Sequence, residues 1–522
     1  MALKHALAAA LATGLASMMI AARLEYFEES LPTTLNPLWA TSIVDYRAQE
    51  LVFDRLWYHD PITNNLSSRL VQDWSVAEGG TAVKLTIRPG IKWHNGKNLT
   101  SKDICFTVNA MLNRNTASPI AEEYRQILAG CDTQGNQNAL IRFTKIFHNP
   151  RERLSFAILP ESAFKSTAIS PELEFSARPV GSGPYNGSSG RRAVSFDAFA
   201  NTHHSPLVAQ LQLSEGNDPL VQSKSLINNS VQGIVSVPPP QRPELSSQDE
   251  VALKSYDLRS WWYIAVNTNK PALQNKLVRQ AINMLLDRTE LRKLSIGVAP
   301  GEENSPCEFI SGPFVQSSPY YNRTVQTVER SDLAKADQLL QQAGLSKIGG
   351  SWHHNGNRIT LRIGMNSSLN FEAPDLLDQI SNQLGAAGFD RQVTKISNDN
   401  WTRNVITGDS QEYDLLIGKW AFGLVEDVND LFHTRRGTEG KKNIFNYSST
   451  EVDGILREFD SALTDTAAKD AYHKLHEKLA DELPYLFLWK LDTKSAWRTE
   501  VRGNIIAPYY YFTEIGSWKY SR

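Results

Sequence analysis

The side chains able to do chemistry are scattered along the chain and do not form a reaction motif. His203-His204 and His353-His354 are adjacent pairs. Neighbouring side chains on a strand or turn diverge, so surface loops account for these pairs better than a metal site does. His473, His476 and Glu477 share one helix face, but the His-Glu-x-x-His arrangement of zinc proteases is missing. No Walker sequence, nucleophile elbow or dinucleotide fingerprint occurs. The expectation is a protein with no catalytic residue, no metal and no cofactor, which binds and does not react.

Cys105, Cys131 and Cys307 are spaced for neither a zinc site nor a redox Cys-x-x-Cys motif. Cys105 lies in an amphipathic stretch (104–112), and Cys131 falls just before a strand-like run at 138–143. In an oxidising compartment the expected pairing is Cys105–Cys131, with Cys307 free.

These residues sit in a chain of 522, long enough for two or three lobes. Hydrophobic residues make up 41% and charged residues 21%, as in an ordinary globular protein. The formal net charge of −2 argues against a nucleic-acid partner, because phosphate binding needs accumulated Lys and Arg. Twelve Trp and seventeen Tyr suit a ligand cleft, although most aromatics in any protein are core.

The N-terminus carries an address. Lys4 and His5 precede an uncharged, Ala-rich run (6–22), and Arg23 follows directly. That pattern reads as a secretory signal peptide, 1–22. The run is short for spanning a hydrocarbon core of ~30 Å. No Cys follows it to take a lipid anchor, so the expected product is a soluble periplasmic protein.

Elements that must position the polar side chains are legible in places. Residues 82–87 alternate like a half-buried strand and end at the turn Arg88-Pro89-Gly90. A second turn at His94-Asn95-Gly96 leads to Thr100-Ser101-Lys102-Asp103, a helix start with Asp103 in its first turn. Helices are predicted over 275–294, over 332–343 with Ser331 as cap and Gly344 as stop, and over 467–483. Strand-like runs at 359–363 and 413–417 lie between the last two. Such alternation implies an α/β unit over about 270–480. Val237-Pro238-Pro239-Pro240 reads as a loop.

The order of motifs then becomes informative. Phe53-Asp54-Arg55-Leu56, Leu70-Val71-Gln72-Asp73-Trp74, the run Leu85-Thr86-Ile87-Arg88-Pro89-Gly90-Ile91-Lys92-Trp93-His94-Asn95-Gly96 and Leu99-Thr100-Ser101-Lys102-Asp103 resemble family 5 of extracellular solute-binding proteins. These are the peptide- and nickel-binding partners of ABC importers. Further matches follow in the family's order: Pro179-Val180-Gly181-Ser182-Gly183-Pro184-Tyr185, Val278-Arg279-Gln280-Ala281, Tyr413-Asp414-Leu415 with Gly418-Lys419-Trp420, and Glu482-Leu483-Pro484-Tyr485. They span about residues 30–515.

The resemblance implies an α/β, bilobed periplasmic-binding-protein type II (cluster C) fold with an additional inserted domain. Its expected parts are lobe I (23–50, 180–268 and 486–522), an inserted subdomain (51–179) and lobe II (269–485), closing by a hinge. It implies a monomer that holds a peptide or peptide-like ligand and docks on ABC permease subunits. A ligand sensor for a receptor and a binder of a nickel chelate are the competing functions.

For site residues the resemblance implies a cleft Trp at Trp420, whose family motif places an amine-binding Asp three positions later. Here that position is Gly423, so Glu426 or Asp427 in the following loop is the replacement candidate. Trp401 and Arg403 match a stretch that supplies cleft side chains. Asn36 in Leu35-Asn36-Pro37 matches a loop at the cleft mouth. Of Trp261 and Trp262, alternation lets only one face a ligand. His433 follows the variable loop and could approach a ligand, although a solvated loop histidine is the favoured reading.

Overall fold

The computed structural model describes residues 23–520 except 61, 62, 64, 148, 172, 173, 200–202, 217, 257, 258, 297–306, 398, 399, 407–409, 423–425, 437, 438 and 508–510. The expected signal peptide and Gly423 lie outside the described residues.

Three larger sheets organise the chain. The first has seven strands in the order Val251–Tyr256, Thr493–Arg498, Gly233–Ile234, Arg23–Glu28, Gln210–Glu215, Ala193–Ala198, Tyr185–Ser189. Arg23–Glu28 runs parallel to Gln210–Glu215, and its alternating pattern turns Leu24 and Tyr26 into the core. Glu28 ends that strand fully buried. It is satisfied by a fork from Arg47, whose Nε and Nη2 donate at 2.7 Å each.

The second sheet is antiparallel, ordered Val71–Ala77, Ala82–Ile87, Asn138–Phe143, Leu128–Gln134. Helix Ser101–Leu112 packs on it and starts as the sequence predicts: Thr100 N–H donates to Asp103 Oδ2 at 2.8 Å in a capping box. The Cys105–Cys131 disulfide ties this helix to the sheet, and Cys307 is free and buried. Cys131, expected just before the strand at 138–143, itself lies within a strand, Leu128–Gln134.

The third sheet is ordered Cys307–Phe309, Tyr485–Leu491, Ser260–Val266, Leu415–Ala421, Thr360–Asn366, Asp390–Ile396. Ser260–Val266 is buried on both faces, which explains its unbroken apolar run. The chain crosses from the first sheet to the third between Tyr256 and Ser260 and returns at Asp492. The expected lobe boundaries at 268 and 486 therefore differ from the sheets: Ser260–Val266 and Tyr485–Leu491 both belong to the third sheet. At the first crossing Arg259 takes a left-handed backbone, φ +44°, uncommon for a non-glycine residue.

Two helix expectations are corrected. The 275–294 helix is two, Lys276–Leu285 and Arg288–Ile296. Leu286 turns extended, and Asp287 Oδ1 accepts Glu290 N–H at 2.8 Å, restarting the helix. The buried Arg288 guanidinium then donates to the Phe487 carbonyl at 3.1 Å and to Asn283 Oδ1 at 2.5 Å. The 332–343 helix is Leu333–Gln342, capped by Asp332 and not by Ser331. Asp465–Glu482 ends with Leu483 left-handed before Pro484.

Candidate ligand cleft

Strand Leu415–Ala421 is buried along its first residues and emerges at its end. Trp420, opposite Trp261 on the neighbouring strand, is therefore half-buried. Lys442 Nζ lies 5.1 Å from its ring centroid, and Phe422 meets it edge-on at 6.5 Å. Its indole nitrogen is buried and has no hydrogen-bond partner among the described residues. An aromatic face with an unused donor is what a binding surface needs.

The loop beyond Trp420 carries the two candidate acids. Glu426 is 4% exposed and ion-paired with Arg259, the left-handed residue at the sheet crossing. Asp427 accepts Arg153 Nη1 at 2.9 Å on one oxygen and Asn429 N–H and Nδ2 at 2.9 Å on the other. Burial alone would raise its carboxyl; the Arg153 guanidinium and the Asn429 donors outweigh this and hold it below the ordinary carboxylate range. Asn429 also donates to Asp460 at 3.1 Å, and Asp460 accepts Lys145 Nζ at 2.6 Å. Two cations from the part of the chain holding the four-stranded sheet thus meet two carboxylates from the part holding the third sheet. Beneath this seam lie Tyr320, Phe459 and Tyr472, the last two stacked. The Tyr320 hydroxyl is pushed up to about 12, by burial first and then by Glu152 and Glu426.

The other proposed contacts sit elsewhere. Trp401 opens helix Trp401–Ile406 and is 7% exposed, packed with Ile396 and Val405 in the core. Arg403 is exposed on that helix. Asn36 is buried and works as a cap, accepting Leu38 N–H at 3.2 Å. Trp261 and Trp262 do alternate, but both faces of their strand are core, so each is buried in a different apolar cluster. His433 is buried, with Nδ1 donating to the Thr434 carbonyl at 3.0 Å, and is not a solvated histidine. Sequence reasoning passed over Arg153, Lys145, Arg259 and Tyr320. Arg153 and Asp427 stand 274 positions apart, beyond any local spacing signal.

A second cluster lies apart from the seam. The Gly181-Ser182-Gly183 turn presses against the backbone of Val52: a Cβ on Gly181 would sit 1.8 Å from the Val52 carbonyl oxygen. Close approach, and not a left-handed backbone, is why glycine stands there. Ser182 Oγ donates to Asp54 Oδ2 at 2.8 Å. His204 Nε2 lies 2.8 Å from Asp54 Oδ1, and His203 Nε2 lies 3.2 Å from Oδ2. The expectation that adjacent imidazoles diverge fails for this pair; their ring centroids are 4.4 Å apart. Burial favours the protonated Asp54 acid, but the imidazoles, His204 first, hold it well below the usual range. Burial also lowers His204 below the ordinary histidine value. His94, close by, is used up: Nδ1 accepts Gly181 N–H at 3.1 Å and Nε2 donates to the Gly183 carbonyl at 3.0 Å.

The profile of bacterial extracellular solute-binding proteins, family 5 (middle region), matches residues 65–442. The oligopeptide-binding protein AppA of Bacillus subtilis is 21% identical over 504 residues, covering 93% of this chain and 89% of that one. The structure of that protein with a nonapeptide superposes with a TM-score of 0.81 at 19% identity, covering 96% of this chain and 99% of the other. NikZ of Campylobacter jejuni with Ni(L-His) gives the same score at 18% identity, covering 95% and 99%.

Proposed function

The chain belongs to the bacterial extracellular solute-binding proteins of family 5, and we propose that it captures a peptide or peptide-like solute for an ABC importer. Its fold is the mixed α/β, bilobed fold of these proteins. In this reading the seven-stranded sheet is lobe I, the four-stranded sheet is an inserted subdomain, and the six-stranded sheet is lobe II. The paired crossings, between Tyr256 and Ser260 and at Asp492, are the hinge. Among the described residues no helix is long and apolar enough to cross a membrane. In this reading the chain is exported and meets its permease at the membrane surface.

The observation that carries the choice of ligand is the seam itself. Trp420 offers a half-buried aromatic face with an unused N–H, and the loop that follows carries Asp427, whose carboxyl is held below the ordinary range. An extended peptide brings backbone carbonyls for the indole and an ammonium for an acid. Asp427, at the seam, receives that ammonium in place of the missing acid at 423; Glu426 is the inner member of the pair and is engaged by Arg259. Calorimetry of ligand-stripped protein with short peptides is expected to show one site per chain. Trp420→Ala should weaken it by about tenfold or more, as loss of an aromatic anchor does. Absence of heat with every peptide tested would sink the reading. The likeness to NikZ makes a metal chelate the second reading, and metal analysis of natively purified protein separates the two.

A further inference from the structure

We propose that Asp54, His203 and His204 form a site for one divalent transition-metal cation of the imidazole-preferring class, such as Zn²⁺ or Ni²⁺, separate from the solute cleft. The donor atoms of the three residues all lie within 4.8 Å of one another. Ligands bonded at ~2.0–2.2 Å in a tetrahedral shell stand roughly 3.3–3.6 Å apart. The carboxylate–imidazole separations of 2.8 and 3.2 Å are therefore within a small adjustment of that shell.

Charge balance points the same way. Asp54 is buried, and among the described residues no Arg or Lys forms an ion pair with it. Arg69 nearby is committed to Glu514 at 3.6 Å. Besides the Ser182 hydroxyl, two imidazoles face the buried carboxylate, with ring centroids 4.4 Å apart. A divalent ion there would offset the carboxylate charge and be held by both rings in their neutral, ligating form, with water on its open side.

The site is also held and reachable. Ser182 Oγ fixes the carboxylate from behind at 2.8 Å, as an outer-shell partner does. Side-chain exposure rises from 3% for Asp54 through 8% for His204 to 23% for His203, so the His203 side opens to water and leaves a coordination position for it. A shallow open hollow adjoins His204 and Asp54. Its lining, including Glu50, Arg69, Pro184 and Thr513, contains no residue from 260–491. The site is therefore built without the six-stranded sheet and is not the cleft.

The test uses the untagged exported chain, stripped with a chelator and titrated with Zn²⁺ alone in competition with a chromogenic chelator. The expected result is one equivalent per chain and a raised unfolding temperature. His203→Gln, the most exposed ligand, should lose more than the roughly 10–100-fold that an outer-shell change costs, and Ser182→Ala should fall within that range. His353→Gln with His354→Gln, the pair on strand Ser351–His354, should change nothing. Peptide affinity of His203→Gln should equal that of wild type, so failure here is distinct from failure of the cleft reading. Absence of Zn²⁺ and Ni²⁺ binding, or undiminished binding by both His203→Gln and His204→Gln, overturns the proposal.

Discussion

Asp427 owes its surroundings to a partner the sequence does not place beside it. Its loop position after Trp420 marks it as a candidate, and the structure supplies the rest: Arg153 on one oxygen, Asn429 on the other. An ammonium meeting that carboxylate makes a charge-assisted contact of about 1.5–3 kcal/mol. Glu426→Gln with Asp427→Asn should therefore weaken free-amine peptides by roughly tenfold or more while leaving N-acetylated peptides little changed. Equal calorimetric affinities for both peptide types, in wild type and variant alike, would count against the amine role. At this scale the sequence marks candidates without showing what surrounds them. Trp420 and the acids follow from motif position, whereas Trp401, Asn36, Trp261 and Trp262 carry binding-type side chains that burial and capping have claimed.

The elements were read well in their centres and poorly at their ends. Apolar periodicity continues through Leu285 and Leu286, so 275–294 looks like one helix; the competing cap at Asp287 is a local hydrogen bond that periodicity ignores. Helix Asp465–Glu482 carries its own signature in His476. That ring is fully buried, accepts Asn322 N–H on Nδ1 at 3.0 Å and meets Ser311 Oγ from Nε2 at 3.0 Å. Burial pushes it down from 6.5 to about 4. Because folding depresses this value, the stability it contributes is complete above about pH 6.5 and is lost as pH falls toward 4. Between those limits the loss is roughly 3 kcal/mol at most. Urea unfolding at pH 7.5 and 4.5 should show a smaller acid loss in His476→Gln than in wild type; equal losses would exclude this origin. The disulfide between helix Ser101–Leu112 and strand Leu128–Gln134 closes 26 residues and contributes roughly 3–4 kcal/mol in the chain-entropy account. Denatured, unreduced protein should present one titratable thiol, Cys307; three would contradict the bridge.

Across the whole molecule, the order of short motifs from Phe53 to Tyr485 was enough to indicate the family and the two-lobed fold, because turns, caps and the strand and helix segments beside them recur in order wherever that chain path does. Lobe boundaries were less legible. Ser260–Val266 and Tyr485–Leu491 lie next to the crossings in sequence, and only their pairing with each other shows which sheet owns them. That pairing places Arg259 at a crossing with its side chain on Glu426, so one contact links a sheet crossing to the loop after Trp420. Lys145 and Arg153 meet Asp460 and Asp427 across the same seam. The most direct measurement is mass spectrometry of the solute extracted from natively purified, exported protein. A short peptide at about one equivalent per chain is the predicted result. A stoichiometric solute of another class, such as a metal chelate or a sugar, would contradict peptide capture.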